Sequence, residues 1–322
     1  MRLRITGCLC VGLLGSFLCG VAQAKDAFQF YLENDSRMLK PNHNTDRHYT
    51  NGLKLVYLTQ PDWQWLEDFS QWHFGEEGQD VETAVGFFLG QNIYTPDHVS
   101  KPWERNPKDQ VFAGWLYTGL FAQRATDDMM DHLELNVGVI GPSSKAEQAQ
   151  KCIHEMLDSD KPIGWSGQLA DELAVDLTFM RQQRIMKGWL APTESTDCIA
   201  EYGITVGSVN DYLQAGVTFR YGQNLGKTFV PGRLELPSGV SALREKSDRS
   251  AYLFTRFAGR AVAYNRFLTG LDAEPFVGQL QVGAVYQHNQ LEIGYSQTFY
   301  TQEFEEQSGV DSIGALTVSW AF

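Results

Sequence analysis

A chain of 322 residues with 26 Lys and Arg against 39 Asp and Glu carries a net charge of −13, a balance that speaks against nucleic-acid partners. Five cysteines make no disulfide scaffold, and no Cys-x-x-Cys pair offers a thiolate metal site. Aromatic residues reach 12% while mean hydropathy stays at −0.29, and after the N-terminal segment no apolar run of roughly 18 residues could cross a membrane as a helix.

Arg2 and Arg4, an apolar run from Ile5 to Gly20 and the small-residue site Val21-Ala22-Gln23-Ala24 read as a cleavable export signal over residues 1–24. Cys19 lacks the small residues expected before a lipidated cysteine. The mature domain is expected to span 25–322. Its net charge is −15 once the two arginines leave, and Cys152 and Cys198 are its cysteines. Export permits a disulfide between them, and the sequence does not decide it.

Period-two alternation then recurs. Phe28, Phe30 and Leu32 alternate with Gln29, Tyr31 and Glu33, and Leu53 and Leu55 with Gly52 and Lys54. The same pattern returns in 133–139 and 213–221. Further candidates lie near 83–93, 112–123, 172–185, 197–207, 250–264, 276–287, 290–303 and 312–322. About twelve strands suit a single-chain outer-membrane barrel. The last places Leu316, Val318, Trp320 and Phe322 on one face, resembling the terminal signature of such proteins. The expected fold is all-β: a transmembrane antiparallel barrel in the bacterial outer membrane, both ends periplasmic, its interior filled by side chains such as Arg220 and Glu134.

One stretch departs from alternation. After Gly141-Pro142-Ser143-Ser144, residues 145–157 read as a helix, with Ser144 and Glu147 spaced as a capping box. Ala146, Ala149, Ile153 and Met156 form an apolar stripe, beside a polar stripe of Glu147, Gln150 and His154. Such a helix at the outer rim packs on the barrel wall at the lipid interface or plugs the mouth. The pattern does not choose.

Polar density gathers in three rim segments: Glu33-Asn34-Asp35, the run Thr45 to Gly52, and the helix bearing His154. Alternation places Asp35 on the interior face with Glu33, and Thr50 on the interior face with Gly52 and Lys54. Asn34 ends the lipid-facing row, an odd place for an amide unless the helix covers it. Asn-Asp after a strand is also ordinary turn chemistry. The sequence has no Gly-x-Ser-x-Gly elbow, His-Glu-x-x-His pair or EF-hand loop. Spacing alone leaves a barrel of open function.

Several segments together resemble the outer-membrane lipid A 3-O-deacylase (LpxR-like) family. They are Asn34-Asp35, Thr45-Asp46-Arg47-His48-Tyr49-Thr50-Asn51-Gly52, Gln91-Asn92-Ile93-Tyr94-Thr95-Pro96, Ala113-Gly114-Trp115-Leu116-Tyr117 and Gly138 to Ser144. Glu147, Gln148, Gln150 and His154 follow, then Gly164-Trp165 and Gln168-Leu169. The resemblance implies a twelve-stranded barrel with its active site at the outer leaflet, between wall and helix. It implies Ca²⁺-dependent hydrolysis of the ester-linked acyl chain at the 3-position of lipid A, within lipopolysaccharide. His154 matches the catalytic histidine, and Asn34, Asp35 and Thr50 match the other essential polar positions. Asp35, with Asn34, is the expected calcium ligand. Relatives carry an Arg/Lys-rich stretch before the Ala-Gly-Trp segment; here Lys101, Arg105 and Lys108 alternate with Glu104 and Asp109. Lys101 and Arg47 are therefore the candidates for substrate phosphates. His48 stands where some relatives have a glycine whose backbone could donate to an oxyanion.

Two other readings stand beside this one. An outer-membrane phospholipase would pair a serine with His154, but Ser143 and Ser144 sit at the far end of the helix. A non-catalytic barrel, as pore, structural protein or lipid binder, would not need His154. The chain is expected to act as a monomer on membrane lipid.

Overall fold

The computed structural model describes residues 25–35, 46–71, 81–97, 99–100, 106–189, 195–243 and 249–322. The expected export signal lies outside them. Twelve antiparallel strands form a closed barrel. They are β1 (Asp26–Asp35), β2 (His48–Thr59), β3 (Glu82–Thr95), β4 (Ala113–Ala125), β5 (Met129–Ile140), β6 (Glu172–Lys187), β7 (Thr196–Gly207), β8 (Asn210–Gln223), β9 (Arg249–Asn265), β10 (Phe276–His288), β11 (Leu291–Tyr300) and β12 (Asp311–Ala321). Each pairs with its sequence neighbour, and β12 closes on β1 from Ala27↔Ala321 to Asp35↔Ile313. Every alternating segment of the sequence is a strand. Closure leaves no edge, which a hydrocarbon environment requires because it offers unpaired backbone groups no partner.

Alternation sorts the two faces. Leu55, Phe87, Leu120 and Leu253 are half or more exposed on the outer wall. So large a continuous apolar belt belongs in lipid. Inward, Lys54 pairs with Glu134 at 3.2 Å, Asp197 lies between Arg184 (3.1 Å) and Arg220 (2.5 Å), and Arg256 meets Glu201. At the lower end Phe28 stacks on Phe322 and contacts Tyr57, with ring centroids 5.5 and 5.4 Å apart, forming an aromatic girdle. Short turns such as 126–128 and 289–290 mark this end as periplasmic, and the long connections 96–112, 141–171 and 301–310 mark the outer end.

The lumen holds more than side chains. The β8–β9 connection, described from 224 to 243, folds up into the barrel from the periplasmic end. Phe229, Leu234, Val240 and Leu243 are buried there against strand residues. Ser238 N–H donates to Tyr31 Oη (2.9 Å), Val240 N–H to Gln123 Oε1 (2.6 Å) and Val230 N–H to Gln182 Oε1 (3.2 Å). Buried amides of an irregular segment need such partners. Above the hairpin a cavity of about 120 Å³ remains, lined by Tyr94, Trp115, Phe267, Glu303 and Asp311 among others.

Among the described residues two α-helices lie outside the barrel. The short α1 (Gln64–Gln71), between β2 and β3, was not expected from the sequence. Helix α2 (Ala146–Met156) is the expected one, entered differently. Ser144 belongs to a 3-10 turn, Pro142–Ser144, and its hydroxyl donates back to Gly141 O at 2.6 Å. Lys145 in the left-handed region (φ 61°) then starts the helix, so no capping box forms.

Candidate active site at the outer rim

Where β2 begins, Asp46 (φ 58°) and His48 (φ 56°) both lie in the left-handed region. That region favours glycine and costs other residues about 1–2 kcal/mol. His48 is held there by its contacts. Its Nδ1–H donates to Asp311 Oδ2 at 2.6 Å, and its ring packs edge-on against Phe304 at 5.1 Å. His48 thus keeps a backbone conformation that glycine adopts freely. The turn aims Arg47 N–H at Asp35 Oδ2, 2.8 Å away.

The Arg47 side chain is committed within the protein. It donates to Ser308 O at 2.6 Å, pairs with Asp311 at 3.1 Å and lies 3.5 Å from Asp97. The expected phosphate contact is therefore not available to it in this arrangement; it braces two outer loops to β2. Lys101 lies outside the described residues.

Thr50 does not follow the interior row. The β2–β3 register shifts between Tyr49 and Asn51, a β-bulge with Thr50 as the extra residue. Tyr49 turns inward, its hydroxyl donating to Glu33 Oε2 at 3.0 Å. Thr50 instead meets Thr95, with hydroxyls 2.7 Å apart. Tyr94 lines the cavity, so Ile93 and Thr95 fall on the outer face, where Ile93 packs with Ala146 and Trp165. Thr50 therefore faces the wall under the α2 connection. Asn34 pairs across with Asn51 and is exposed on that outer face, as its row predicted. The helix, packed on β3 and β4, does not bury it.

The wall is shaped to receive α2. A Cβ on Gly114 would overlap Ala146 Cβ and Ser144 Oγ, so glycine lets the helix start lie directly on β4. Gln91 Nε2 donates to Ser144 O (2.7 Å), and Trp165 Nε1 to Gln150 Oε1 (2.8 Å). At the foot of the connection Asp171 accepts both the N–H and the hydroxyl of Ser143, which hold its carboxyl below the usual range, helped by Lys145. Gln150 and His154 are buried, whereas Ile153, Met156 and Leu157 point out. The polar stripe thus faces protein and the lower apolar stripe faces the lipid side. A helix in a membrane interface inverts the arrangement of one in water.

His154 Nδ1 lies 2.5 Å from Asp160 O. A carbonyl only accepts, so Nδ1 carries the proton there, and Nε2 is the nitrogen left for chemistry. Asp46 Oδ2 stands 2.8 Å from it. Among the described residues no serine hydroxyl contacts this imidazole. Ser143 and Ser144 are engaged at the other end of the helix. No disulfide joins Cys152 to Cys198.

Asp35 supplies the remaining unusual group: its Oδ1 is buried without a hydrogen-bond partner, and Asp46 and Asp311 are its acidic neighbours. An unpartnered carboxylate oxygen beside a second carboxylate is the hard-oxygen chemistry that calcium takes. Asp35 and Asp46 fit such an ion. Asn34 lies on the opposite face of the strand, paired across with Asn51. No three Asp, Glu, His or Cys side chains converge at metal distance among the described residues. Nearby Glu303 is raised above the ordinary carboxylate range by burial and by the charge of Asp311, with Arg260 and His48 opposing.

Sequence reasoning passed over Asp46, Thr95 and Asp311. Asp46 and Thr95 lie inside the motifs that carry the resemblance. Asp311, at the first position of β12, left no local signal.

The family model described as outer membrane protein LpxR matches residues 8–322. The solved structure of LpxR from Salmonella typhimurium superposes with a TM-score of 0.72 at 22% identity, covering 92% of this chain and all of that one. The β domain of the Bordetella autotransporter BrkA gives a TM-score of 0.44 at 8% identity, over 94% of this chain and 99% of its own. The translocator domain of NalP from Neisseria meningitidis gives 0.44 at 10%, over 94% and 90%. No curated protein sequence matches the chain. With the family model running through the whole barrel, the chain belongs to the LpxR family of outer-membrane proteins.

Proposed function

We propose that this protein is a lipid A 3-O-deacylase of the outer leaflet, hydrolysing the ester-linked acyl chain at the 3-position with His154 as general base. The observation that carries the reading is the His154 imidazole. It is buried on the wall side of a helix that turns apolar residues toward lipid, with Nδ1 fixed by the Asp160 carbonyl and Nε2 beside Asp46. Once Asp46 turns aside to the cation it would hold, Nε2 takes a proton from water as the water oxygen attacks the ester carbonyl, and the nearby carboxylate stabilises the imidazolium formed. That proton then passes to the departing sugar oxygen, leaving a free fatty acid and a 3-hydroxyl. A calcium ion at Asp35 and Asp46 would supply a positive charge to polarise the carbonyl. Asn34, exposed at the open edge of the wall, would orient the substrate, and Thr50, buried against Thr95, would support that edge from behind. Arg47 acts through its brace, and Lys101 remains a candidate for a phosphate.

The test is mass spectrometry of lipid A after incubation with purified protein and Ca²⁺. His154→Ala should lower the rate about 10²–10⁴-fold, and EGTA should abolish cleavage by the wild type. Release of acyl chains from glycerophospholipid with lipid A untouched would replace this reading with a phospholipase. Intact lipids of both kinds, with a folded barrel, would leave a binding protein.

A further inference from the structure

The hairpin in the lumen ends under the proposed site. Its tip is a four-residue turn, closed by Arg233 N–H to Leu236 O (2.8 Å) and Leu236 N–H to Arg233 O (3.0 Å). Leu234 N–H donates to Glu33 Oε1 at 3.1 Å, and Glu33 Oε2 accepts from Tyr49 Oη at 3.0 Å. Tyr49 and Leu234 together fill the space over Gly52: a Cβ there would overlap the Tyr49 hydroxyl and come 2.7 Å from a Leu234 methyl. Tyr49 also packs edge-on against Tyr94, centroids 5.5 Å apart, and Tyr94 stacks on Phe267 at 3.7 Å.

These contacts have one mechanical consequence. The bulge at Thr50 exists because Tyr49 goes inward while Thr50 and Asn51 go outward. An unbulged strand would alternate Thr50 inward with Gly52 and send Tyr49 to the outer wall. What keeps Tyr49 inward is an acceptor at Glu33, room over Gly52 and a wall at Leu234. Two of those three depend on a segment that enters from the opposite side of the membrane.

We propose that the lumenal hairpin is a positioning element for the outer-leaflet site: Leu234, through Glu33 and Tyr49, holds the β2 bulge that turns Thr50 outward onto Thr95 and so sets the strand end next to the turn that carries Asp46. Leu234, Glu33 and Tyr49 are positioning residues that touch no reacting atom. The proposal rests on the deacylase reading for its activity arm and on the fold alone for its exchange arm.

The experiment compares Leu234→Gly, Leu234→Met and Tyr49→Phe with wild type in lipid A deacylation, amide hydrogen exchange over 48–52 and single-channel conductance. Heat-modifiable gel mobility certifies the folded barrel. Leu234→Gly and Tyr49→Phe should lose about tenfold in kcat with KM changed less than about twofold, because misplacing an orienting group costs turnover rather than affinity. Exchange at 49–52 should quicken in both, and Leu234→Met should restore both readouts. A Leu234→Gly protein that conducts ions yet deacylates at the wild-type rate with unchanged exchange would make the hairpin a plain seal and overturn the proposal. Should Leu234→Gly fail to fold, Tyr49→Phe decides by the same two readouts. If the wild type itself leaves lipid A intact, the deacylase reading fails separately, and exchange at 49–52 still judges the brace.

Discussion

In the lumen, Asp197 lies between Arg184 and Arg220, Glu134 meets Lys54, and Glu201 meets Arg256. At the outer rim, Asp35, Asp46, Asp97, Glu303 and Asp311 gather about Arg47, His48 and His154. The lumenal charges neutralise one another across the barrel interior, so their role is to fill and fix the barrel. Among the described residues the rim carries acid in excess. Surplus buried acid works against folding unless a cation or a proton answers it. The same residue types therefore serve stability on one side of the wall and chemistry at its upper edge.

Substitution can break this division at either end, and the largest effect belongs to the lumen. Asp197→Leu leaves two buried arginines without their shared counter-charge, which should cost about 3–5 kcal/mol in urea unfolding of the detergent-solubilised barrel. Deacylation per folded molecule should stay within about twofold of wild type, because Asp197 sits on β7, away from β2 and α2. A proportionate loss of activity would show that lumen and rim are one coupled network.

The converse substitution is Asp35→Asn. It keeps the shape and the Arg47 N–H acceptor while removing the charge at the unpartnered oxygen. Activity should fall about 100-fold, with the unfolding midpoint unchanged or raised, since a carboxylate crowded by Asp46 and Asp311 becomes neutral. Raising Ca²⁺ should recover little of the rate. Full activity in Asp35→Asn would remove calcium from Asp35.

The contrast also explains what the sequence could and could not convey. Mid-barrel strands see lipid on one side and lumen on the other, so the period of two in Leu53, Leu55 and their neighbours translates directly into structure. At the rim that two-sided environment ends. Thr50 was expected inside because a bulge adds one residue without changing composition. The α2 stripe was legible, but periodicity does not say which stripe meets protein; the small Ala146 end of the apolar stripe meets the wall while Ile153 and Met156 face away. The hairpin over 224–243 escaped notice because a segment surrounded by barrel on every side buries Phe229, Leu234 and Val240 with no repeating face. His154 and Asp35 stood out by their motifs, whereas their partner Asp46 passed as one more acid in a polar run.

The smallest effect tests the rim's acid surplus by titration. Glu303, at the mouth of the lumenal cavity, has its carboxyl raised by burial and by Asp311. The folded chain therefore binds this proton more tightly than the unfolded chain does. The stability it contributes is present below the ordinary carboxylate range and is lost as pH rises from there through the raised value. Glu303→Gln abolishes the titration. At pH 8 the variant should melt about 1–3 °C above wild type, and at pH 4, where both side chains are uncharged, the two should melt together. An equal gain at both pH values would trace the effect to packing rather than charge. No gain at pH 8 would mean that Arg260 and His48 already balance Asp311, and the rim would then resemble the lumen after all.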